Sequence, residues 1–191
     1  MSTNGIYIEV DQADIKRVQN KLKDASKASS KIKNAINRTV TQAMRQIRAG
    51  RSQGYTIKAG RFNQDIKTQR ANAAHLDATI KASGRTPTLK GNFKTSTPKA
   101  GAKADITKSG LKSLRTSGGG AAFIGPGGSI EGLIAQRTTS ARYPLRVLYG
   151  NSVPKMVEKI WEGERGGQGD MTEEIRAKLM EEMRKEIAKL I

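Results

Sequence analysis

Few side chains in this sequence have the types and spacing that catalysis requires. His75 is the only histidine, and the chain contains no cysteine. A general base needs an orienting partner and a reacting group nearby, and no thiol or serine-elbow motif supplies that group. A metal site would depend on carboxylates alone, yet the four acidic residues between Lys16 and Arg115 are isolated from one another. We therefore expect His75 to be structural, and we expect no catalytic residues, no cofactor and no metal.

The glycine clusters raise the question of a phosphate-binding loop. A Walker loop requires Gly-x-x-x-x-Gly-Lys-Ser/Thr, in which backbone amides hold the phosphate and the lysine neutralises it. Neither Gly125 nor Gly128 is followed by Lys-Ser/Thr, and Gly125-x-Gly127 lacks a third glycine because Ile130 stands in its place. These glycines are therefore expected to form turns and hinges.

Basic residues dominate the chemistry of the chain. The sequence has 35 Lys and Arg against 17 Asp and Glu, a formal net charge of +18. Between Lys16 and Arg115 there are 24 basic residues and four acidic ones, whereas Glu158–Ile191 contains nine acidic and seven basic residues. At physiological salt the field decays over roughly 8 Å, so it acts on a partner in contact. The first two-thirds of the chain is therefore the predicted contact region.

Two kinds of partner suit this charge, and charge alone does not separate them. Nucleic-acid phosphates are the first, although the basic middle offers few aromatic side chains for base stacking and no zinc-finger, KH or RRM signature. An acidic protein surface is the second, and a plainly solvated surface is a third interpretation. The candidate basic contacts are Arg38, Arg45, Arg48, Arg51, Lys58 and Arg61.

The apolar content predicts an ordered domain with a thin core. Leu, Ile, Val and Phe make up 36 of the 191 residues, which borders on the composition of disordered chains. These residues nevertheless lie in periodic runs, so we expect a fold that gains stability from its partners. We expect a soluble protein, because the sequence has no signal-peptide pattern and no apolar run near the ~20 residues of a membrane span.

The first third of the chain is predicted to be a strand followed by a long helix. Ile6–Val10 is rich in strand formers and indicates an edge strand. A helix is predicted from about Asp11 to Ala49, capped by Asp11 or Asp14, and it either breaks near Ser29 and Ser30 or projects. Gly50 and Gly54 are expected to terminate it. Its apolar stripe consists of Ile15, Val18, Leu22, Ala25, Ile32, Ile36, Val40, Met44 and Ile47.

The middle of the chain alternates short elements with a long basic loop. A helix is predicted around Arg61–Ala74, and Leu76–Ala82 alternates apolar and polar residues as a strand does. Thr88 and Leu89 are expected to be extended. Residues 90–132 are dominated by Gly, Ser, Thr, Pro and Lys, so we expect a long basic loop that contains a short strand at 121–124.

The last third is predicted to contain two strands and two helices. The strands are Ile134–Arg137 and Leu145–Tyr149. A helix capped by the Ser152 hydroxyl follows, with Pro154 in its first turn. After a glycine-rich break, Asp170 and Glu173 resemble a capping box for a terminal helix with apolar face Ile175, Leu179, Met183, Ile187 and Leu190. We expect residues 1–165 to form the main domain and 166–191 to form a candidate docking arm.

Several short strings, taken in order, resemble the phage minor tail protein Z family and its tail completion, or neck, relatives. They cover roughly residues 30 to 165, and their order and spacing carry the resemblance. The strings are Ala35-Ile36-Asn37-Arg38, Tyr55-Thr56-Ile57-Lys58, Ala78-Thr79-Ile80, Ser83-Gly84-Arg85, Pro87-x-Leu89, Phe93, Ala122-Phe123-Ile124, Arg142-Tyr143-Pro144-Leu145 and Gly150-x-Ser152-Val153-Pro154.

The resemblance implies a structural virion protein with an α+β fold. A long N-terminal helix would pack on a small, mostly antiparallel β-sheet, with helices at the C-terminal end. The implied assembly is a non-enzymatic homo-oligomeric ring at the head-proximal end of a tail, assembled in the host cytoplasm, with sixfold symmetry expected from tail architecture. Its expected partners are further copies of itself, neighbouring tail tube, terminator and neck proteins, and DNA in the tail lumen. No membrane and no small-molecule substrate are expected.

Two expectations about assembly follow. The string Arg142-Tyr143-Pro144-Leu145 is expected to form part of a subunit contact, with Tyr143 as its rigid anchor. The segment Lys90–Gly120 is expected to be mobile in the free subunit and to become ordered on assembly. The candidate assembly contacts are Arg142, Tyr143, Pro144, Leu145, Ser152, Val153, Pro154 and Phe123.

Overall fold

The computed structural model describes residues 3–9, 13, 16, 25–115, 120–167 and 169–189. They form the predicted α+β fold, with a long N-terminal helix, small antiparallel sheets and C-terminal helices. The helices are α1 (Ala25–Gly54), α2 (Ala59–Gln64), the single turn α3 (Leu89–Asn92), α4 (Val153–Trp161) and α5 (Met171–Ala188). The strands are β1 (Thr3–Glu9), β2 (Ile66–Gln69), β3 (Asp77–Ser83), β4 (Lys94–Ser96), β5 (Lys103–Asp105), β6 (Lys112–Ser113), β7 (Phe123–Ile124), β8 (Ile134–Arg137) and β9 (Leu145–Val147).

Helix α1 is continuous over thirty residues, so the predicted break near Ser29 and Ser30 does not occur. Its inward face carries the predicted apolar stripe, which is buried from Ile32 to Ile47. A stripe at this spacing stays on one side of a straight helix and can be covered along its length. The predicted caps and the earliest predicted stripe residues lie outside the described residues: Asp11, Asp14, Ile15, Val18 and Leu22.

Gly54 ends α1 as predicted, but Gly50 lies inside the helix, contrary to the prediction. A side chain at Gly50 would overlap Ile160 of α4, and a side chain at Gly166 would overlap the Gly50 carbonyl. The glycine at position 50 therefore permits close packing of α4 and of the turn that follows it. This requirement arises from residues more than a hundred positions away, so local sequence could not indicate it.

The strands form three separate three-stranded antiparallel sheets, in the orders β1-β3-β2, β4-β5-β6 and β7-β8-β9. Strand β1 is an edge strand as predicted, and β3 is the central strand of its sheet. Alternate residues Ala78, Ile80 and Ala82 of β3 are buried, because α1 and α4 cover one face of this sheet. The predicted strand residue Val10 lies outside the described residues.

The prediction of a helix around Arg61–Ala74 is wrong. Helix α2 ends at Gln64, and β2 follows directly and pairs with β3. Only Phe62 of α2 is buried, so the segment has no apolar face long enough to sustain a helix. Leu89 is likewise not extended but begins the turn α3, whereas Thr88 is extended and bridges Tyr149.

The segment 90–132, predicted to be a long basic loop, contains regular structure. Strands β4, β5 and β6 form a complete small sheet, and β7 pairs with β8. These strands are two or three residues long, and the buried residues in and beside them are mainly alanines, such as Ala102, Ala104 and Ala122. The predicted strand at 121–124 corresponds to β7, whereas β4, β5 and β6 are too short to leave a periodic apolar signal.

The C-terminal helices begin near the predicted residues, with one difference in capping. Asp170 caps α5 as predicted, accepting a hydrogen bond from the Thr172 amide at 2.8 Å. Ser152 occupies the N-cap position of α4, but its side chain makes no capping hydrogen bond, so the predicted hydroxyl cap is wrong.

The terminal helix packs on its own subunit. Ile175, Leu179 and Met183 are buried in the same core cluster as the α1 stripe, and Ile187 is half-buried, while Leu190 lies outside the described residues. The preceding turn is held against α1 at Gly50. The apolar face that we interpreted as a candidate docking arm is therefore used within the chain.

Candidate assembly surface

The β8–β9 hairpin presents the most exposed aromatic side chain among the described residues. Gln136 pairs with Arg146, and Thr138 donates backbone and hydroxyl hydrogen bonds to the Pro144 carbonyl, at 3.4 and 3.3 Å. The intervening residues form the hairpin tip, where Tyr143 is 65% exposed and is joined to Pro144 by a cis peptide bond. The tip therefore places the predicted anchor in solvent.

Arg142 and Tyr143 form a local pair at this tip. The Arg142 guanidinium carbon lies 5.8 Å from the centre of the Tyr143 ring, within the range of a cation–π contact. Arg142, Tyr143 and Pro144 are exposed, and Leu145 is half-buried where β9 begins. The string Arg142-Tyr143-Pro144-Leu145 is therefore a continuous surface feature with one aromatic and one cationic group.

The other predicted assembly contacts are less accessible. Val153 and Pro154 are buried in the first turn of α4, the helix that packs on α1 and β3. In this subunit they are therefore not exposed to a neighbouring copy. Ser152 and Phe123 are half-buried, and Phe123 lies on β7 beside the hairpin.

Two of the six predicted basic contacts are engaged within the chain. Arg38 Nη1 lies 2.6 Å from Glu186 Oε1 and 3.5 Å from Glu182 Oε2, and Arg61 Nη1 lies 2.6 Å from Asp65 Oδ1. These ion pairs neutralise the two arginine charges within the subunit itself. Sequence reasoning missed the pairs of Arg38 because Glu182 and Glu186 are 144 and 148 positions away from it.

The other four predicted basic contacts differ in exposure. Arg51 is half-buried and donates to the Ile57 carbonyl at 3.1 Å, which positions the link after α1. Arg48 is exposed and donates to Asn63 Oδ1 at 3.3 Å, so it keeps its charge without an acidic partner. Arg45 and Lys58 are exposed, and neither forms an ion pair with any residue in the described part of the chain.

Glu186 is the centre of the electrostatic contact between α5 and α1. Its side chain is 2% exposed and also lies 2.6 Å from Lys189 Nζ and 3.7 Å from Lys31 Nζ. The hydrogen bond from Lys189, together with the charges of Arg38 and Lys31, holds the pKa of this carboxyl below its ordinary value despite burial. The carboxylate therefore stays ionised and holds three cations.

Sequence reasoning missed two residues of the hairpin, Arg137 and Arg146. Both are exposed, Arg137 at the end of β8 and Arg146 in the middle of β9, and both line a groove of about 550 Å³ between the hairpin and the segment before β7. They belong to two predicted strands, and the signal that could have found them is the pairing of these strands as a hairpin, which sets Arg146 opposite Gln136.

Among the described residues, no group of three or more His, Cys, Asp or Glu side chains is placed to hold a metal ion. His75 is exposed in a turn, where its backbone amide donates to Asn72 Oδ1 at 2.8 Å. No helix within those ranges is long and apolar enough to cross a membrane. Comparison with protein-family models, curated proteins and solved structures finds no match to this chain.

Proposed function

We propose that this chain is a structural component of a phage tail or tail-like particle. In this proposal it completes the head-proximal end of the tail as a homo-oligomeric ring, joins it to the neck and performs no catalysis. The observation that carries the proposal is the exposed tip of the β8–β9 hairpin. Tyr143 is 65% exposed there, and a rigid aromatic group beside an arginine is typical of an interface anchor.

The positions of the family-like strings support this proposal. Ala35-Ile36-Asn37-Arg38 lies at the middle of α1, where Asn37 exchanges two hydrogen bonds of 3.0 Å with the backbone of Ala71. The Phe93 ring packs closely against the backbone of Gly150, since a side chain at Gly150 would overlap that ring. The strings thus hold together one subunit, while Arg142-Tyr143-Pro144-Leu145 faces outward and is free to contact a neighbour.

Tyr143→Ala tests the proposed contact. In the purified protein, native mass spectrometry and light scattering should detect a closed oligomer, and Tyr143→Ala should weaken self-association at least about tenfold. Electron microscopy of particles produced with this variant should show tails that fail to terminate or to join heads.

Tyr149→Ala is the matched control, because Tyr149 is 53% exposed but lies outside the hairpin tip. It should assemble as the unaltered chain does. Normal tails in particles that carry Tyr143→Ala, or in particles that lack this protein altogether, would contradict the proposal.

Nucleic-acid binding is a second candidate, favoured by the outer face of α1. Arg45 and Arg48 are exposed one helical turn apart. Arg70 lies beside the same helix and donates to Thr41 Oγ1 at 3.2 Å. The only acidic residue between positions 25 and 76 is Asp65, which already pairs with Arg61. This face therefore offers several positive charges to phosphate groups.

A gel-shift titration at several salt concentrations separates the two candidates. Phosphate binding predicts an affinity for duplex DNA that falls steeply with salt, and the slope should become shallower in Arg45→Gln/Arg48→Gln. The same slope in this variant and in Arg184→Gln, an exposed arginine on α5, would exclude a specific role for the α1 face.

A further inference from the structure

The groove beside the β8–β9 hairpin has a defined and mixed lining. Its volume of about 550 Å³ lies within the range typical of sites that bind small ligands or a few residues of a peptide. Ala121, Phe123 and Leu148 supply apolar surface. Residues 138–140, in the sequence Thr-Thr-Ser, add three hydroxyl groups.

The groove is positively charged and has no internal counter-charge. Arg137 and Arg146 both line it, and within the described part of the chain neither forms an ion pair. No acidic side chain belongs to the lining given by the described residues. Arg38 and Arg61, by contrast, are neutralised inside the fold. Both arginines contribute to the lining, and an unpaired guanidinium group favours bidentate contacts with carboxylates.

One side chain connects the two sides of this groove. Gln136 is almost fully buried, and its Nε2 donates to the Gly120 carbonyl at 2.9 Å. This hydrogen bond joins the hairpin to the segment before β7, so the groove is formed in the free subunit. A preformed groove lowers the ordering cost of binding.

We propose that this groove binds a short acidic segment of a partner protein. Aspartate or glutamate side chains of that segment pair with Arg137 and Arg146, and neighbouring apolar side chains contact Phe123 and Leu148. The inference deepens the proposed function by giving the chemistry of one partner. Its test with a synthetic peptide is nevertheless independent of whether the chain forms a ring.

Single-stranded nucleic acid fits this groove less well. Such ligands need successive aromatic platforms, and Phe123 is the only aromatic residue in the described lining. A DNA duplex is too wide to enter a cavity of this volume. The apolar part of the lining also suits leucine or phenylalanine side chains between carboxylates better than it suits a phosphate chain.

Fluorescence polarisation with a labelled peptide tests the proposal. The probe is Gly-Asp-Leu-Glu-Phe-Asp-Gly, and its matched control carries Asn and Gln in place of Asp and Glu. At 0.15 M salt the acidic peptide should bind saturably and the neutral one at least about tenfold more weakly. Arg137→Gln and Arg146→Gln should each weaken binding about tenfold. Ser140→Glu, which adds a repelling charge, should weaken it as well.

The control variant is Arg85→Gln, because Arg85 is exposed and lies outside the groove. It should bind the peptide within about twofold of the unaltered chain, and thermal unfolding should confirm that all variants are folded. Equal weakening by Arg85→Gln, or unchanged binding in folded Arg137→Gln and Arg146→Gln, would overturn the proposal. Tighter binding of a twelve-nucleotide oligothymidine at the same arginines would reassign the groove to nucleic acid. Loss of oligomers in Tyr143→Ala with intact peptide binding would separate the ring contact from this groove.

Discussion

The helical layer of α1 and α5 and the hairpin of β8 and β9 both carry arginines, but only the helical layer provides acidic partners for them. Glu182 and Glu186 of α5 pair with Arg38 of α1. Arg137 and Arg146 of the hairpin have no such partners among the described residues. In a strongly basic chain, the informative cations are therefore those that folding leaves unpaired, and they include Arg137 and Arg146 of the hairpin and Arg45 of α1.

The two regions should differ most in their contribution to stability. Ile160 of α4 is fully buried and packs against Gly50 of α1. Ile160→Ala should lower the free energy of unfolding by about 2–5 kcal/mol, because it leaves a cavity in the core. Chemical denaturation measures this loss. Leu145→Ala on the hairpin should cost clearly less, and an equal cost would remove the contrast between a stabilising layer and a binding region.

Disruption of the ion cluster around Glu186 should have the next largest effect on stability. Glu186→Gln leaves Arg38, Lys31 and Lys189 without their shared carboxylate and should lower the free energy of unfolding by about 1–3 kcal/mol. The pKa of Glu186 is lowered in the fold, so its stabilisation is present above the unfolded value of about 4.3 and is lost as pH falls further.

Thermal unfolding of both proteins from pH 3 to pH 7 checks this sign. The difference in melting temperature between the unaltered chain and Glu186→Gln should be constant between about pH 5 and pH 7 and should become smaller below about pH 4.3. A gap that widens in acid would show that Glu186 is not an ionised partner of α1.

Loss of a helix cap should have a smaller effect on stability, and two N-cap positions can be compared directly. Asp170→Ala removes the acceptor of the Thr172 amide and should lower the midpoint of chemical denaturation measurably. The pKa of Asp170 is lowered by hydrogen bonds from Thr172, so this contribution should also fade in acid. Ser152→Ala is the control, because Ser152 makes no capping hydrogen bond and should cost less in the same denaturation experiment.

The smallest stability effect is expected at the hairpin tip. Tyr143→Ala should change the free energy of unfolding of the monomer by no more than about 0.5 kcal/mol, because the side chain is largely exposed. The same variant is expected to impair assembly. A large loss of monomer stability would mean that Tyr143 is a structural residue, and the functional contrast between the two regions would fail.

The sequence by itself determined the elements with long or regular patterns. The apolar stripe of α1, the alternation in β3 and the apolar face of α5 are signals within one segment, and the structure confirms each of them. The expectation that Tyr143 anchors a subunit contact came with a resemblance and stays a prediction, and the structure places this side chain at an exposed hairpin tip. Local periodicity is sufficient for such elements because each buries one continuous face.

Only the tertiary structure decided which charges remain available and which glycines and short strands matter. Arg38 is a predicted basic contact, but in the structure it pairs with Glu186 of α5. Gly50 is a predicted helix end, but in the structure it lies within α1, where Ile160 packs against it. The groove with Arg137 and Arg146 exists only because β8 pairs with β9 and Gln136 reaches Gly120. These features depend on contacts between distant parts of the chain, and no local pattern records the partner that a charge or a glycine will meet.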